Sequence, residues 1–193
     1  MENIILKRFK ESVEVKTRFL KENLPKLLDM IKLISHAFEA GNKLFLFGNG
    51  GSAADAQHLA AELVNRYVMD RPPLPAIALT TDTSILTSIS NDFSFNEIFA
   101  KQLKALGKEG DVAFGISTSG NSSNIIKAFE VAKEMRMKTV ALTGNDGGAI
   151  AKMADISLIV PSTSTPRIQE VHILVGHILC EMVEHSLFFK VSP

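Results

Sequence analysis

The stretch that most constrains the chain is Phe47-Gly48-Asn49-Gly50-Gly51-Ser52, which runs on through Ala53 to Glu62. Lys43–Phe47 is apolar and of strand length, and the residues after the glycines read as a helix to about Tyr67. Gly48, Gly50 and Gly51 supply a turn that residues with a Cβ fit poorly. Ser52 is placed to cap the helix, and Asp55 suits its first turn. A strand ending in glycines at a helix N-terminus gathers free backbone N–H groups at the positive end of the helix dipole, which makes an anion site. His58 and Glu62, four apart, project from one face of that helix. An anion cradle and a candidate metal pair therefore share one element.

The chain repeats this alternation. Further strands are predicted at Ala76–Leu79, Val112–Ile116, Thr139–Leu142 and Ile156–Val160. Helices are predicted at Glu97–Leu106, Ser123–Met135, Ile150–Met153 and Arg167–Phe188, while Thr80 to Phe95 reads as polar and irregular. Strand–helix alternation implies right-handed crossovers and a parallel sheet covered on both faces, a three-layer α/β sandwich. Two amphipathic helices are predicted ahead of the first strand. One spans residues 2–22; the other is capped by Asn23, has Pro25 in its first turn and stops at Gly41. Their apolar stripes need cover, from their own domain or from a second subunit. With no linker or low-complexity tract, the 193 residues read as one domain: helices over 1–41 and a sheet core over 42–193.

Charge excludes little but is informative. Lysine plus arginine and aspartate plus glutamate both number 21, so nothing points to nucleic acid. Cys180 is the only cysteine, which rules out an intrachain disulfide and suits a small buried apolar group. The N-terminus lacks the apolar core of a signal peptide, and no apolar run approaches membrane-spanning length. The expectation is a soluble cytoplasmic protein.

In parallel sheets of this kind, ligands bind beyond the carboxyl ends of the strands, at the switch in strand order. Two loops lie at that edge: residues 48–52 and Ser117-Thr118-Ser119-Gly120-Asn121-Ser122. The second offers hydroxyls and N–H groups at a helix start, an inventory suited to a phosphate held by neutral donors. It also suits an ordinary capped loop. Neither loop is a Walker motif or a dinucleotide fingerprint, which favours a small phosphorylated molecule over a nucleotide.

A histidine near an acid on a helix is more often a packing pair than a metal site. The last helix strengthens the metal reading. It carries Gln169, His172, His177 and Glu181, and Gln169 and His177 share a face, roughly 80° apart on a 3.6-residue helix. Imidazole, carboxylate and amide oxygen together suit zinc or a similar ion. His172, on the opposite side, is read as sheet cover; His36 and His185 are read as surface groups. His58 follows Ser52 by roughly 9 Å of helix axis, close to the span of a sugar chain with a phosphate at one end.

Four segments resemble the bacterial phosphoheptose isomerases of the sugar-isomerase (SIS) domain superfamily. They are Gly48-Asn49-Gly50-Gly51-Ser52-Ala53-Ala54-Asp55-Ala56-Gln57-His58, Asn91-Asp92-Phe93, Gly115-Ile116-Ser117-Thr118-Ser119-Gly120-Asn121-Ser122 and Arg167-Ile168-Gln169-Glu170-Val171-His172-Ile173. The resemblance covers nearly the whole chain. It implies a five-stranded flavodoxin-like sheet, a homotetramer, and conversion of sedoheptulose 7-phosphate to D-glycero-D-manno-heptose 7-phosphate, which feeds lipopolysaccharide or other surface glycans. By matching position it implies that His58, Glu62, Gln169 and His177 are zinc ligands. It further implies that Glu62 and His177 are catalytic base and acid. Substrate contacts are implied for Asn49, Gly50, Gly51, Ser52, Glu62, Asn91, Asp92, Ser117, Thr118, Ser119, Ser122 and Gln169.

The same superfamily contains non-catalytic proteins that bind the bacterial replication initiator and share these loops. Arg71-Pro72-Pro73-Leu74-Pro75-Ala76-Ile77-Ala78-Leu79 is similar to them too. They are distinguished by loss of the helix glutamate and the C-terminal histidine, both of which this chain keeps as Glu62 and His177. A binding protein has no chemical need for that pair, so the isomerase is the favoured reading.

Overall fold

Every residue of β1 (Leu44–Gly48) and β3 (Val112–Ser117) is buried. Strands without a solvent face need helices on both sides, which is how the computed structural model, described over residues 1–189, is built. With β2 (Ala76–Ala78), β4 (Lys138–Gly144) and β5 (Ile156–Val160) they form one sheet, parallel throughout, in the order β2-β1-β3-β4-β5. Alternation along the strands sorts the core into two halves. Leu44, Leu46, Val112 and Phe114 face α1 (Glu2–Glu39), α2 (Gly51–Val64) and α7 (Thr165–Phe188). Phe45, Phe47 and Ala113 face α4 (Ile98–Leu106), α5 (Ser123–Glu134) and α6 (Gly148–Met153). The expected five-stranded three-layer sandwich is what the chain adopts.

The chain leaves β1 for β2 on one side and returns to β3 on the other, so the switch in strand order lies between β1 and β3. Gly48 pairs with Ile116 and Ser117 with Thr143, which brings the glycine and serine loops out side by side.

Several expectations need correction. The N-terminal pair of helices is one continuous helix, α1, with Pro25 inside it. Asn23 does not cap a second helix. It is buried, and its amide takes both main-chain groups of Ile159 on edge strand β5, donating to the carbonyl at 3.3 Å and accepting from the N–H at 3.4 Å. Pro25 is exposed, so water can meet the carbonyl its missing N–H leaves free. The supposedly irregular Thr80–Phe95 segment contains α3 (Thr83–Asp92), capped by Asp82, whose carboxylate accepts from the Ile85 N–H at 2.9 Å. Ser52 is also no cap. Gly50, with a φ of 56°, holds that position, and Ser52 is buried in the first turn of α2. Strand ends move by a residue or two, as with β4, which begins at Lys138 and reaches Gly144. Finally, α7 is long and apolar enough to cross a membrane by length and composition. It has the place of a core helix: Ile168, Val171, Val175, Leu179 and Val183 are buried, and it packs on α1, α2 and β4.

Candidate active site

At the carboxyl end of β3 the hydroxyls of the serine loop are drawn together. Ser117 Oγ lies 2.9 Å from Ser122 Oγ and 3.5 Å from Ser119 Oγ, and it accepts the Gly120 N–H at 3.2 Å. Ser122 is the N-cap residue of α5 but makes no side-chain cap bond; its carbonyl accepts the Ile125 N–H at 3.0 Å, which leaves the Ser123 and Asn124 N–H groups open to the loop. Three outside bonds fix the loop, one of them from the Ile150 N–H to the Gly120 carbonyl at 2.9 Å. Asn145 Nδ2 donates to the Thr118 carbonyl at 2.9 Å, and Asn121 Oδ1 accepts the Ala149 N–H at 3.0 Å. The glycine loop is tied to this one through a reciprocal amide pair. Asn49 Nδ2 donates to Asn124 Oδ1 at 3.0 Å, and Asn124 Nδ2 to Asn49 Oδ1 at 2.8 Å. Neither loop carries a charged side chain, so an anion here meets oriented neutral dipoles.

The other half of the site is built by α2 and α7. His58 Nε2 lies 3.0 Å from Glu62 Oε1, and the His177 ring meets that of His58 edge-on with centroids 5.1 Å apart. Tyr67 also stacks on His177, with ring centroids 5.7 Å apart and the planes inclined by 27°. Gln169 reaches α2 at its start: a Cβ at Gly51 would collide with its side-chain amide. Glycine at 51 is thus what leaves room for the Gln169 amide against the anion turn. Asp55, one turn before His58, carries Oδ2 buried with no hydrogen-bond partner. Burial raises its carboxyl above the ordinary value, against the opposing pull of His58 and His177.

The structure therefore brings together His58, Glu62 and His177, and separately Ser117, Ser119, Ser122 and Asn49. Ser52 is buried beneath the turn. Asn91 and Asp92 are exposed at the end of α3, where Asn91 Nδ2 donates to Asp92 Oδ1 at 2.8 Å. Nothing joins them to the serine loop; α3 instead lends Leu86 to a hollow beside Asn49, Gly50 and Thr80. His58, Glu62 and His177 make pairwise contacts through His58 without closing into a metal-holding geometry: among the described residues no group of three His, Cys, Asp or Glu is arranged to hold an ion, and Gln169 lies apart, against Gly51. His172 is the sheet-covering residue expected: buried, its Nε2 3.2 Å from the Thr143 carbonyl. Burial pushes its imidazole down to about 4, against the bond to Thr143. Cys180 is buried, and burial pushes its thiol up to about 12. Sequence reasoning missed Asn124, Tyr67 and Arg71. Only Arg71 had any signal, as a charge beside the Pro72-Pro73 break.

Neutral anion loops at the switch point, with an acid and imidazoles beside them, belong to a known class of domain. The SIS domain model matches residues 8–144, and the chain is a member of the SIS domain family. Within it the relatives are consistent. The phosphoheptose isomerase of Sulfurimonas denitrificans is 54% identical over 190 residues, covering 97% of this chain and 97% of that protein. The solved phosphoheptose isomerase of Francisella tularensis superposes with a TM-score of 0.92 at 41% identity, covering 95% and 97%. That of Neisseria gonorrhoeae gives 0.90 at 45% identity, covering 95% and 98%. The chain belongs to the phosphoheptose isomerases.

Proposed function

We propose that the chain converts sedoheptulose 7-phosphate to D-glycero-D-manno-heptose 7-phosphate, with the phosphate at the loops and the reacting carbons between α2 and α7. The observation that carries this placement is the clustering of Glu62 and His177 around His58, which lies on the helix that begins at the glycine turn. The serine loop and the Asn49–Gly51 turn hold the phosphate with neutral donors. Glu62 removes a proton from the carbon next to the ketose carbonyl while His177 donates one to the carbonyl oxygen, giving an enediol. A proton returned to the former carbonyl carbon and one taken from the neighbouring hydroxyl complete the aldose. Two loops that position one end of a long substrate also restrict the motion of the other, which raises the effective concentration of the reacting groups.

The donors of His58, Glu62, Gln169 and His177 suit zinc in kind. When bound, such an ion supplies polarisation of the carbonyl and diol oxygens. Self-association is part of the same proposal. The first half of α1 exposes Ile4, Ile5, Leu6, Phe9 and Val13, apolar surface that other copies of the chain would cover in a homotetramer. A cytoplasmic setting and a product destined for surface glycans rest on family membership alone. The deciding experiment is purified protein with sedoheptulose 7-phosphate, with and without chelator, followed by product analysis. Formation of the aldose heptose phosphate is the expected result, with loss on chelation; an unchanged substrate in metal-supplemented buffer refutes the assignment.

A further inference from the structure

The segment after α2 is gripped by an ion pair that the scheme above does not use. The side chains of Arg71 and Glu184 are 1% and 2% exposed, with Nε 3.0 Å from Oε1. The guanidinium finishes α2: Nη2 donates to the Glu62 carbonyl at 2.9 Å and Nη1 to the Leu63 carbonyl at 2.6 Å. A helix leaves those carbonyls without internal partners, and a cation suits that end of its dipole. Glu184, on α7, accepts the backbone N–H groups of Tyr67, Val68 and Met69 at 2.8, 3.0 and 3.1 Å. Tyr67 then lays its ring on His177.

A buried ion pair is a weak source of stability, because well-packed apolar residues commonly do as well. What this one has is position. Arg71 holds the main chain of Glu62, while Glu184 lies on the helix of His177 and fixes the main chain of Tyr67, whose ring backs that imidazole. We propose that Arg71, Glu184 and Tyr67 form a bracket of positioning residues that sets His177 relative to Glu62. The inference rests on reading Glu62 and His177 as the proton-transfer pair.

The test measures kcat and KM for sedoheptulose 7-phosphate, with melting temperatures, in Tyr67→Ala, Tyr67→Phe and the pair Arg71→Met/Glu184→Leu, beside Glu62→Gln. A small displacement of a reacting group costs up to about a hundredfold in rate. Tyr67→Ala and the folded double variant are expected to lose kcat by about tenfold to a hundredfold with KM within about twofold. Tyr67→Phe, which keeps the ring, is expected to retain the parent kcat. Normal kcat in Tyr67→Ala, or in the folded double variant, overturns the bracket. So does an equal loss in Tyr67→Phe, which would put the hydroxyl and not the stack at work. Should the double variant fail to fold, half-buried Tyr67 decides alone. If Glu62→Gln is inactive while Tyr67→Ala is normal, only the bracket falls. If Glu62→Gln keeps its activity, the proton-transfer pair falls and the bracket with it.

Discussion

The two ends of the site are made differently. The loop end is neutral and cross-linked: its hydroxyls bond one another, and its amides bond across loops. The helix end is ionisable and partly open to solvent, with the His58 side chain 47% and the Glu62 side chain 26% exposed. Binding a dianion needs donors whose orientation is already fixed, and buried charge is not required for that. Moving protons needs groups that change charge during turnover, and partial solvent access keeps both of their forms affordable. Substitutions at the two ends should therefore fail in different ways: the helix end in kcat, the loop end in KM.

The sharpest way to break this division is at Glu62. Glu62→Gln keeps shape and hydrogen bonding but removes the base, so kcat is expected to fall by about a hundredfold to ten-thousandfold while KM changes little. Steady-state kinetics checks it, and near-normal turnover would remove Glu62 from the chemistry. His177→Asn is expected to lose about a hundredfold or more in kcat and to retain less metal after gel filtration. Unchanged metal content by elemental analysis would remove His177 from the ligand set.

Strand–helix alternation was legible because each strand is short, apolar and bounded by a turn, and the serine and glycine loops followed from their place at strand ends. What escaped depended on partners far away in sequence. Asn23 looked like a cap because its bond to Ile159, 136 residues on, leaves no local trace. The Asn49–Asn124 pair spans 75 residues and the Arg71–Glu184 pair 113, and no spacing rule reaches that far. Helix α3 was missed for a local reason. Its serines and threonines favour caps and turns, yet here Thr87 and Ser90 donate back to the carbonyls of Thr83 and Leu86.

Two histidines five apart on α7 sharpen the contrast within a single helix. His177 faces the site; His172 is buried against Thr143 and held neutral. Its folded value of about 4 lies below the ordinary 6.5, so the unfolded chain takes up a proton first on acidification. The stability that neutral His172 contributes is complete above pH 6.5 and is lost as pH falls from there toward 4. His172→Gln keeps a donor for the Thr143 carbonyl and does not titrate. Urea unfolding should show the variant losing less stability than the parent between pH 6.5 and 4, by on the order of 3 kcal/mol. Parallel pH profiles would show that His172 is not the buried neutral group described here.

The gentlest probe is at the loop end, in Asn124. It sits in the first turn of α5, 2% exposed, and its amide is the direct tie between the glycine loop and the serine loop. Asn124→Ala removes both bonds and leaves the Asn49 amide without its partner, at a cost of about 1–3 kcal/mol to stability. The loops then keep their own internal bonds but lose the constraint on their separation. Since that separation sets how well one dianion meets both donor groups, KM is expected to rise about tenfold, worth about 1.4 kcal/mol of binding, with kcat within about twofold. A kcat loss like that of Glu62→Gln, with KM unchanged, would mean that the loop end takes part in the chemical step and that the division between the two ends does not hold.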